Sequence, residues 1–435
     1  MPTLSELLNE LRTLPLGNVY PKTIHGKTYH YHQFFRDGKR FTRIVKEEDL
    51  LDLVAGIMRR KEIERAIKSI RSKDVVLSKS AAELTGSVMN GNRVVATFEK
   101  GVLSFIDPDL APLVIVRTHA LEPFLKLRVI DMSRTNARIL KKIMHLETDE
   151  DYKTSLYAYA LSIADQYWFK PKYSKLVYQN LLLEDDSLFE TALKGEVNVF
   201  YQKARLSPEL TTTGSFEKGW RFIDGEWWLY KNGNARQLYS ELFCSAFAAL
   251  LGIPSVAYEM EGAYIRCKNF SPQTNFEPMA SLVGDDDNYE TVFSALIGLG
   301  ESFAKDYLKM MFFDAVTNNI DRHSENMGLL RDRESGKILS LAPNFDNNLA
   351  LIATNEHLNP NARKDGFIRY FVRFLEENEK AKCLFQELRF PSISMEDLTL
   401  ISDSIPLDIP NKAETNEAIL LRYEYLKGLF NKQHN

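Results

Sequence analysis

The 435-residue sequence has few cysteines, no long apolar run and no strong excess of charge of either sign. Its three cysteines, Cys244, Cys267 and Cys383, stand far apart and form no CxxC pair, which argues against a disulfide framework or a zinc site. Because no run of about 18 apolar residues occurs, we expect no membrane span and no membrane partner. The net charge of -4 gives no overall attraction to nucleic acid.

The start of the chain also lacks the features of a secretory signal. Residues 1–17, "MPTLSELLNELRTLPLG", are amphipathic and charged, without an uninterrupted apolar stretch. Together with the sparse cysteines, this predicts a cytoplasmic protein. The remaining composition, 44% hydrophobic and 26% charged, is that of a globular chain, and 435 residues predict two or three domains.

Residues 1–77 read as a basic accessory module with a helix–hairpin–helix pattern. Residues 22–35 and 40–45 favour strands, Asp37-Gly38 favours a hairpin turn between them, and residues 46–73 favour a long helix. The first helix is indicated by Leu4, Leu7, Leu8 and Leu11. Residues 1–75 hold 15 Lys and Arg against 10 Asp and Glu, so this module is basic within an acidic chain. Nucleic-acid binding and a solvated charged helix both remain open as explanations.

The rest of the chain divides into three regions. Residues 78–175 start with strands around an Asn90-Gly91 turn, and "RTNARILKKIMH" and "SLYAYALSIADQYW" follow with helical spacing. Residues 176–272 combine strands with one strong helix, and residues 273–435 are dominated by helical patterns. A strand-rich part followed by a helix-rich part predicts the α+β class.

The stretch "TNNIDRHSENMGLLRD", residues 317–332, carries the strongest functional signal. An amphipathic helical segment precedes it, and a hairpin pattern follows and returns the chain to Asp346. Asp321 and Asn326 have the Asp-x-x-x-x-Asn spacing of a protein-kinase catalytic loop. Phosphoryl transfer from ATP needs one carboxylate to accept the hydroxyl proton, and an Asn and a second Asp to hold Mg²⁺. For Asn318 and Asn319 we expect capping or turn roles.

A candidate nucleotide lobe precedes this loop. Residues 214–231 read as strand, Asp224-Gly225 turn and strand, ending at Lys231. The following helical pattern carries Glu241, which suits a Lys–Glu pair that positions phosphates. No GxGxxG motif occurs in "TTTGSFEKG", so the phosphate loop departs from the usual kinase pattern. Trp227 and Trp228 are expected to pack in the sheet.

These motifs resemble those of the HipA-like kinases, the toxin halves of bacterial persistence toxin–antitoxin pairs. The family's catalytic loop, approximately N-x-D-x-H-x-x-N, is matched by Asn319, Asp321, His323 and Asn326. Its metal aspartate follows a Leu-x-Pro pattern, matched by "LAPNFD", which ends at Asp346. Its phosphate loop, approximately Gly-x-x-Glu-Lys, is matched by Gly214, Glu217 and Lys218. The hinge stretch "YIRCKNFS" is a looser match.

The resemblance implies a two-lobed protein-kinase-like fold and a serine/threonine protein kinase that uses ATP and Mg²⁺. It further implies the following roles: Asp321 as catalytic base with His323 beside it, Lys231, Gly214, Glu217, Lys218 and Glu241 around ATP, and Asn326 and Asp346 on the metal. The family can phosphorylate its own phosphate loop, where Thr211, Thr212 and Thr213 stand here. A separately encoded helix-turn-helix antitoxin is an implied partner, which could also bring nucleic acid to the complex.

Two other classes of function stay open. "DRH-x-x-N" also resembles the loop of phosphoinositide kinases, so the phosphate acceptor could be a lipid or another small molecule in place of a protein. In the second class the kinase fold is a non-catalytic scaffold, and the basic hairpin–helix module binds DNA or a partner protein. His323 and Arg322 each suit a role at the reacting groups or a structural role.

Overall fold

A computed structural model describes most of the chain. The described residues are 7, 10, 11, 13–24, 27–36, 39–73, 84–130, 134, 136–143, 151–181, 186–196, 206–214, 216–354 and 357–429. The strands are β1 Asn18–Ile24, β2 Lys27–Arg36, β3 Lys39–Val45, β4 Gly86–Asn90, β5 Arg93–Glu99, β6 Val102–Phe105, β7 Tyr167–Pro171, β8 Lys218–Ile223, β9 Glu226–Lys231, β10 Glu259–Glu261, β11 Tyr264–Lys268, β12 Thr274–Pro278, β13 Gly328–Asp332 and β14 Ile338–Leu341. The α-helices are α1 Glu47–Lys73, α2 Leu113–Thr118, α3 Leu121–Lys126, α4 Ala137–Ile143, α5 Phe189–Lys194, α6 Ala235–Leu250, α7 Ala280–Val283, α8 Tyr289–Leu299, α9 Glu301–Thr317, α10 Gly366–Glu377, α11 Glu379–Glu387, α12 Met395–Ser404 and α13 Lys412–Leu429.

The strands form four small antiparallel sheets, and helices fill the last third of the chain, so the predicted α+β class is confirmed. The sheet orders are β1-β2-β3, β6-β5-β4-β7, β10-β11-β9-β8 and β12-β13-β14. No described helix combines the length and the apolar character that crossing a membrane requires.

The β8–β9 hairpin and α6 form the unit that the sequence predicts as a nucleotide lobe. The turn between β8 and β9 places both Asp224 and Gly225 at positive φ, which is the geometry that two-residue hairpins favour. Asn234 and Gln237 form a reciprocal capping box at the start of α6. Turn and cap together fix the direction in which the chain leaves Lys231, the last residue of β9, and enters the helix.

The C-terminal helices share one large core with α6 and the β12–β14 sheet. Helix α9 lies at its centre, and most of its aromatic and methionine side chains, among them Tyr307, Met311 and Phe312, are fully or almost fully buried. Arg422 of α13 donates hydrogen bonds to the carbonyl oxygens of Ala315 and Val316 at the end of α9, and it pairs with Asp365. These bonds fix the point at which α9 delivers the chain into the predicted catalytic loop.

The region of β4–β7 docks onto the β12–β14 sheet through a buried polar cluster. Arg331 of β13 donates to Glu277 of β12 at 2.5 Å, to the Tyr167 hydroxyl of β7 at 3.1 Å, and to the carbonyl of Ala111 at 2.9 Å. The other Glu277 oxygen accepts the backbone N–H of Leu113 at 2.9 Å. The cluster joins two regions that are far apart in the sequence. Its burial is tolerated because both charged side chains, Arg331 and Glu277, have hydrogen-bond partners.

The helix predicted over "SLYAYALSIADQYW" is wrong. A 3-10 helix ends at Ala158, Tyr159 and Ala160 take left-handed φ values of 55° and 54°, and Trp168 lies in strand β7. β7 pairs along its whole length with β4. This pairing joins residues about 80 positions apart, so the local helical spacing did not reveal it.

The N-terminal module contains the predicted strands and the long helix. β1, β2 and β3 form an antiparallel sheet, and α1 follows directly. Of the residues that indicate the first helix, Leu7 and Leu11 are helical, and Leu4 and Leu8 lie outside the described residues. The predicted Asp37-Gly38 turn also lies outside them, between the paired residues Arg36 and Lys39.

We expect Arg331→Ala to lower the free energy of unfolding by about 3–5 kcal/mol, because it leaves Glu277 buried without its charge partner. Denaturant unfolding followed by circular dichroism measures this loss. The control is Lys337→Ala in the exposed turn of the β13–β14 hairpin, which should shift stability by no more than about 0.5 kcal/mol. Equal stability of Arg331→Ala and the wild type would contradict the docking role of the cluster.

Candidate functional site

Lys231 is the centre of the candidate site. Its ammonium pairs with Glu241 of α6, and it donates to Asp346 Oδ1 at 2.7 Å. The Lys231 side chain is 5% exposed and that of Glu241 is fully buried. Burial disfavours the ammonium charge, but the Asp346 and Glu241 carboxylates outweigh it and raise the pKa of Lys231 well above its ordinary value. The structure thus forms the Lys–Glu pair that the sequence suggested and adds Asp346 to it.

Asp346 lies in a segment of unusual backbone conformation that contacts both Lys231 and Glu241. It takes a left-handed φ of 60°, which is uncommon for a residue other than glycine. The next residue, Asn347, donates its backbone N–H to the second oxygen of Glu241. Burial raises the pKa of the Asp346 carboxyl, but Lys231 and then Lys218 outweigh it and keep the pKa well below the ordinary value. Asp346 is therefore an anion at neutral pH.

Arg322 ties the predicted catalytic loop to its surroundings. Its guanidinium forms a two-bond contact with Asp314 of α9, at 2.9 and 3.0 Å. It also donates to the Asn326 carbonyl at 2.8 Å and the Phe345 carbonyl at 2.7 Å. Burial works against the charge, but Asp314 outweighs it and raises the pKa of Arg322. All of these Arg322 contacts are with protein groups, which favours the structural one of the two roles that the sequence left open.

Asn318 and Asn319, at the start of the loop, have distinct positions. Asn318 ends α9 in the left-handed conformation with φ 53°, which confirms its predicted cap role. Asn319 accepts the Asp321 backbone N–H at 3.3 Å, which is the predicted turn role. Its buried amide also donates to Asp314 and to Asn347, both at 3.1 Å. The sequence did not predict this second role.

Asp321, Asn326 and His323 lie together at the mouth of the loop. The Asn326 amide donates to the Asp321 carbonyl at 2.9 Å and stands 3.4 Å from its carboxylate. Burial and the nearby Asp346 raise the pKa of Asp321, opposed by His323 and Arg322. His323 Nδ1 accepts the Glu325 backbone N–H at 3.2 Å, which leaves the proton of a neutral imidazole on Nε2. A raised pKa makes Asp321 a better proton acceptor.

The predicted phosphate loop covers the same cleft. Lys218 and Lys231 are directly opposite each other in the β8–β9 pairing. Burial and the neighbouring Lys231 charge lower the pKa of Lys218, which Asp346 partly restores. The Lys218 ammonium donates no hydrogen bond to a described residue, and it lies beside Gly214, where an added Cβ would be 2.4 Å from Nζ. A buried ammonium in this position suits an anion.

Other residues of this loop are buried or form hydrogen bonds with neighbouring protein groups. Glu217 accepts a hydrogen bond from the Asn232 side chain at 2.9 Å, so it braces the end of β9. Thr211 is buried, and Thr212 donates to the Pro208 carbonyl at 2.8 Å and accepts from Trp220 at 3.2 Å. Thr213 lines the cleft. Phosphorylation of Thr211 or Thr212 would require the loop to leave this position.

One cleft brings most of these groups together. Gly214, Lys218, Lys231, His323, Asn326 and Asp346 all line it. Its inner wall is apolar and aromatic, with Leu229, Val256, Tyr258, Cys267, Phe270, Phe276 and Phe345. The rings of Phe270 and Phe345 are stacked, with centroids 5.4 Å apart. An apolar wall next to a charged end suits a ligand that has an aromatic base and phosphates.

The residues fit a magnesium ion that is also held by phosphate. Among the described residues, no three His, Cys, Asp or Glu side chains converge as a metal cluster. Asp346 and Asn326 line the same cleft, and the ionised Asp346 carboxylate has a second oxygen that accepts no hydrogen bond from a described residue. Mg²⁺ is commonly bound by one or two such groups, with phosphate oxygens and water completing its shell.

Sequence reasoning missed the part played by Asp314, Asn344 and Asn347. The two asparagine side-chain oxygens accept from Arg322 at 2.6 and 2.8 Å. In the sequence, Asp314 has helical spacing with Tyr307 and Met311, so it falls on the apolar face of the amphipathic segment before the loop. A carboxylate on such a face needs a buried partner, and that signal could have pointed to Arg322.

No protein-family model matches the chain, and no curated protein is similar to it in sequence. The chain is similar to several solved structures. One of them is a chain of the Shewanella oneidensis MR-1 toxin–antitoxin complex of HipA, HipB and operator DNA, 12% identical, with 80% of this chain and 99% of that chain covered and a TM-score of 0.48. Another is the Helicobacter pylori proinflammatory kinase CtkA, 18% identical, with 48% of this chain and 90% of that chain covered and a TM-score of 0.38.

The expectation that this cleft binds ATP predicts that Gly214→Ala weakens the binding about 10- to 100-fold, because the new methyl group would displace the Lys218 ammonium and cost a charge-assisted hydrogen bond. The matched control is Gly225→Ala, which has a similar positive φ but no atom within 4 Å of the added Cβ. Both substitutions carry backbone strain, so only the steric effect separates them. Calorimetric titration with ATP measures the difference. Equal affinities of the two variants would contradict the placement of Lys218.

Proposed function

We propose that the chain is an ATP- and Mg²⁺-dependent kinase of the HipA-like type that phosphorylates a serine or threonine hydroxyl of a protein. The observation that carries this proposal is the contact of Lys231 with both Glu241 and Asp346, in a cleft that Asn326 also lines. These groups come from β9, α6, the catalytic loop and the segment after β14. Phosphoryl transfer requires this combination of a positioned ammonium, a metal-binding carboxylate and a metal-binding amide.

The two lysines are the groups that hold the phosphates. Lys231 is oriented by Glu241, and Lys218 stands opposite it beneath Gly214. Asp346 and Asn326 would hold Mg²⁺, which neutralises phosphate charge and orients the γ-phosphoryl group. The apolar wall with Val256 and Phe345 would take the adenine base. Most of the catalysis is then positioning and charge stabilisation.

Asp321 is the proton acceptor in this proposal. The acceptor oxygen bonds to the γ-phosphorus as the bond between that phosphorus and the ADP oxygen breaks, and the hydroxyl proton passes to the Asp321 carboxylate. The Asn326 amide holds the Asp321 carbonyl at 2.9 Å, and the Asx turn with Asn319 holds its backbone N–H. His323 Nε2 stands beside these groups as a donor toward the transferred phosphoryl group.

A further part of the proposal concerns regulation. Self-phosphorylation at Thr211 or Thr212 would require the loop to leave its position in the cleft, because Thr211 is buried and the Thr212 hydroxyl is held by Pro208 and Trp220. Self-phosphorylation at Thr211, Thr212 or Thr213 would then hold the loop out of the cleft and switch the enzyme off. An antitoxin-type protein is proposed as a separately encoded regulator.

We expect Asp321→Asn to lower ATP turnover about 10²- to 10⁴-fold, because the amide cannot accept the hydroxyl proton. ATP affinity should stay within a few-fold of the wild type, since Asp321 is not among the phosphate-binding groups. The measurement is ADP release with calorimetry for affinity, and Asp403→Asn on the exposed surface of α12 is the matched control.

The labelled product distinguishes the kinds of acceptor. Label from [γ-³²P]ATP on serine or threonine supports the protein kinase, and mapping shows whether Thr211, Thr212 or Thr213 carries it. Label only in lipid or a small molecule supports the phosphoinositide-kinase-like alternative. Equal turnover by Asp321→Asn and the wild type would overturn the assignment of the base, and a chain without turnover would favour the non-catalytic scaffold.

A further inference from the structure

The N-terminal sheet carries basic and aromatic side chains on one face. Residues 18–45 contain six lysines and arginines and a single acidic residue, Asp37. Residues directly opposite each other in neighbouring strands share a face. The register pairs Tyr20 with Tyr31 and Tyr31 with Ile44, so these three side chains follow one line across the sheet. We call the face that contains them the tyrosine face.

Cations flank this line at both ends of the sheet. Lys22 and Lys27 share the tyrosine face near the β1–β2 hairpin, and Arg40 shares it near the β2–β3 hairpin. All three side chains are exposed. The ten residues of β2 span about 30 Å, so positive charge lies at both ends of a stretch long enough for several nucleotides.

The aromatic centre is accessible to a ligand. The Tyr20 and Tyr31 rings are stacked, with centroids 5.9 Å apart and an angle of 18° between their planes. Tyr20 is 38% exposed and Ile44 is 58% exposed. A stacked pair with one ring in solvent can be extended by another flat ring, and nucleic-acid bases stack on tyrosine in this way.

The opposite face of the same sheet makes contacts within the N-terminal module. His32 is buried, its Nε2 is 2.7 Å from the Leu16 carbonyl oxygen, and its ring lies against Phe34 with centroids 4.8 Å apart. Helix α1 reaches the sheet at the edge of the tyrosine face, where Lys61 donates to Asn18 at 2.6 Å.

The face of His32 also carries a stacked pair, Phe34 and Phe41, with centroids 5.4 Å apart, and the exposed cations Lys39 and Arg43 of β3. The tyrosine face differs in having exposed cations at both ends of the sheet, on either side of its stacked pair.

We propose that the tyrosine face binds single-stranded nucleic acid. Lys22, Lys27 and Arg40 contact phosphates, and the Tyr20–Tyr31 pair stacks on a base. A duplex suits this face less well, because its bases are already stacked on one another and offer no free ring face to tyrosine. An acidic peptide would use the cations and leave the aromatic pair without a partner. This inference is independent of the proposed kinase.

The test is fluorescence anisotropy of the full chain with a labelled oligothymidylate of about 20 nucleotides, longer than one such site. We expect Lys22→Glu combined with Lys27→Glu and Arg40→Glu to weaken binding about 10- to 100-fold and to reduce the salt dependence by about 0.7 per lost contact. The matched control carries the same charge change on three exposed side chains elsewhere, Lys337→Glu, Lys364→Glu and Arg369→Glu.

A second pair of variants tests stacking. Tyr20→Ala should weaken binding about 5- to 100-fold, whereas Tyr173→Ala, at an 88% exposed tyrosine outside the module, should leave it unchanged. Absence of binding by the wild type, or equal loss in the charge variants and their control, would overturn the proposal. Tighter binding of a duplex of the same length would also overturn the proposal, because the ligand would then be double-stranded nucleic acid.

Discussion

The arrangement of the candidate site depends on one buried guanidinium, that of Arg322. It joins Asp314 of α9, the Asn326 carbonyl in the catalytic loop, and the Phe345 carbonyl just before Asp346. Burying a charge costs several kcal/mol unless it is paired and hydrogen-bonded, and here Asp314, two carbonyls and two asparagine oxygens meet that cost. The same bonds set the separation between Asp321 and Asp346.

A second ionic contact joins this assembly to the β8–β9 hairpin and α6, the predicted nucleotide lobe. Lys231 comes from a sheet, Glu241 from a helix and Asp346 from the segment after a distant hairpin, so any motion that separates the lobes must break a buried ion pair. Lys231 and Lys218 also keep Asp346 ionised, because they outweigh the burial that raises its pKa. One set of charges therefore fixes both the geometry of the cleft and the protonation state of its proposed metal ligand.

The sequence predicted what depends on neighbouring residues. The Asp224-Gly225 turn, the helix that carries Glu241 and the turn role of Asn319 follow from local chemistry, and the structure contains each of them. Contacts between distant residues could not be predicted in this way. The pairing of β7 with β4 overrode a helical pattern, and the position of Asn344 and Asn347 around Arg322 depends on the return of the β13–β14 hairpin. The assigned roles in catalysis stay predictions.

The central claim is that the cleft binds ATP together with Mg²⁺ through Asp346. The most direct test is calorimetric titration of the chain with ATP, with and without Mg²⁺, in the wild type and in Asp346→Asn. The account predicts that Mg²⁺ strengthens ATP binding to the wild type and has little effect on the variant, because the amide removes the anionic ligand. Wild-type protein that binds no ATP, or that gains equally from Mg²⁺ in both forms, would contradict it.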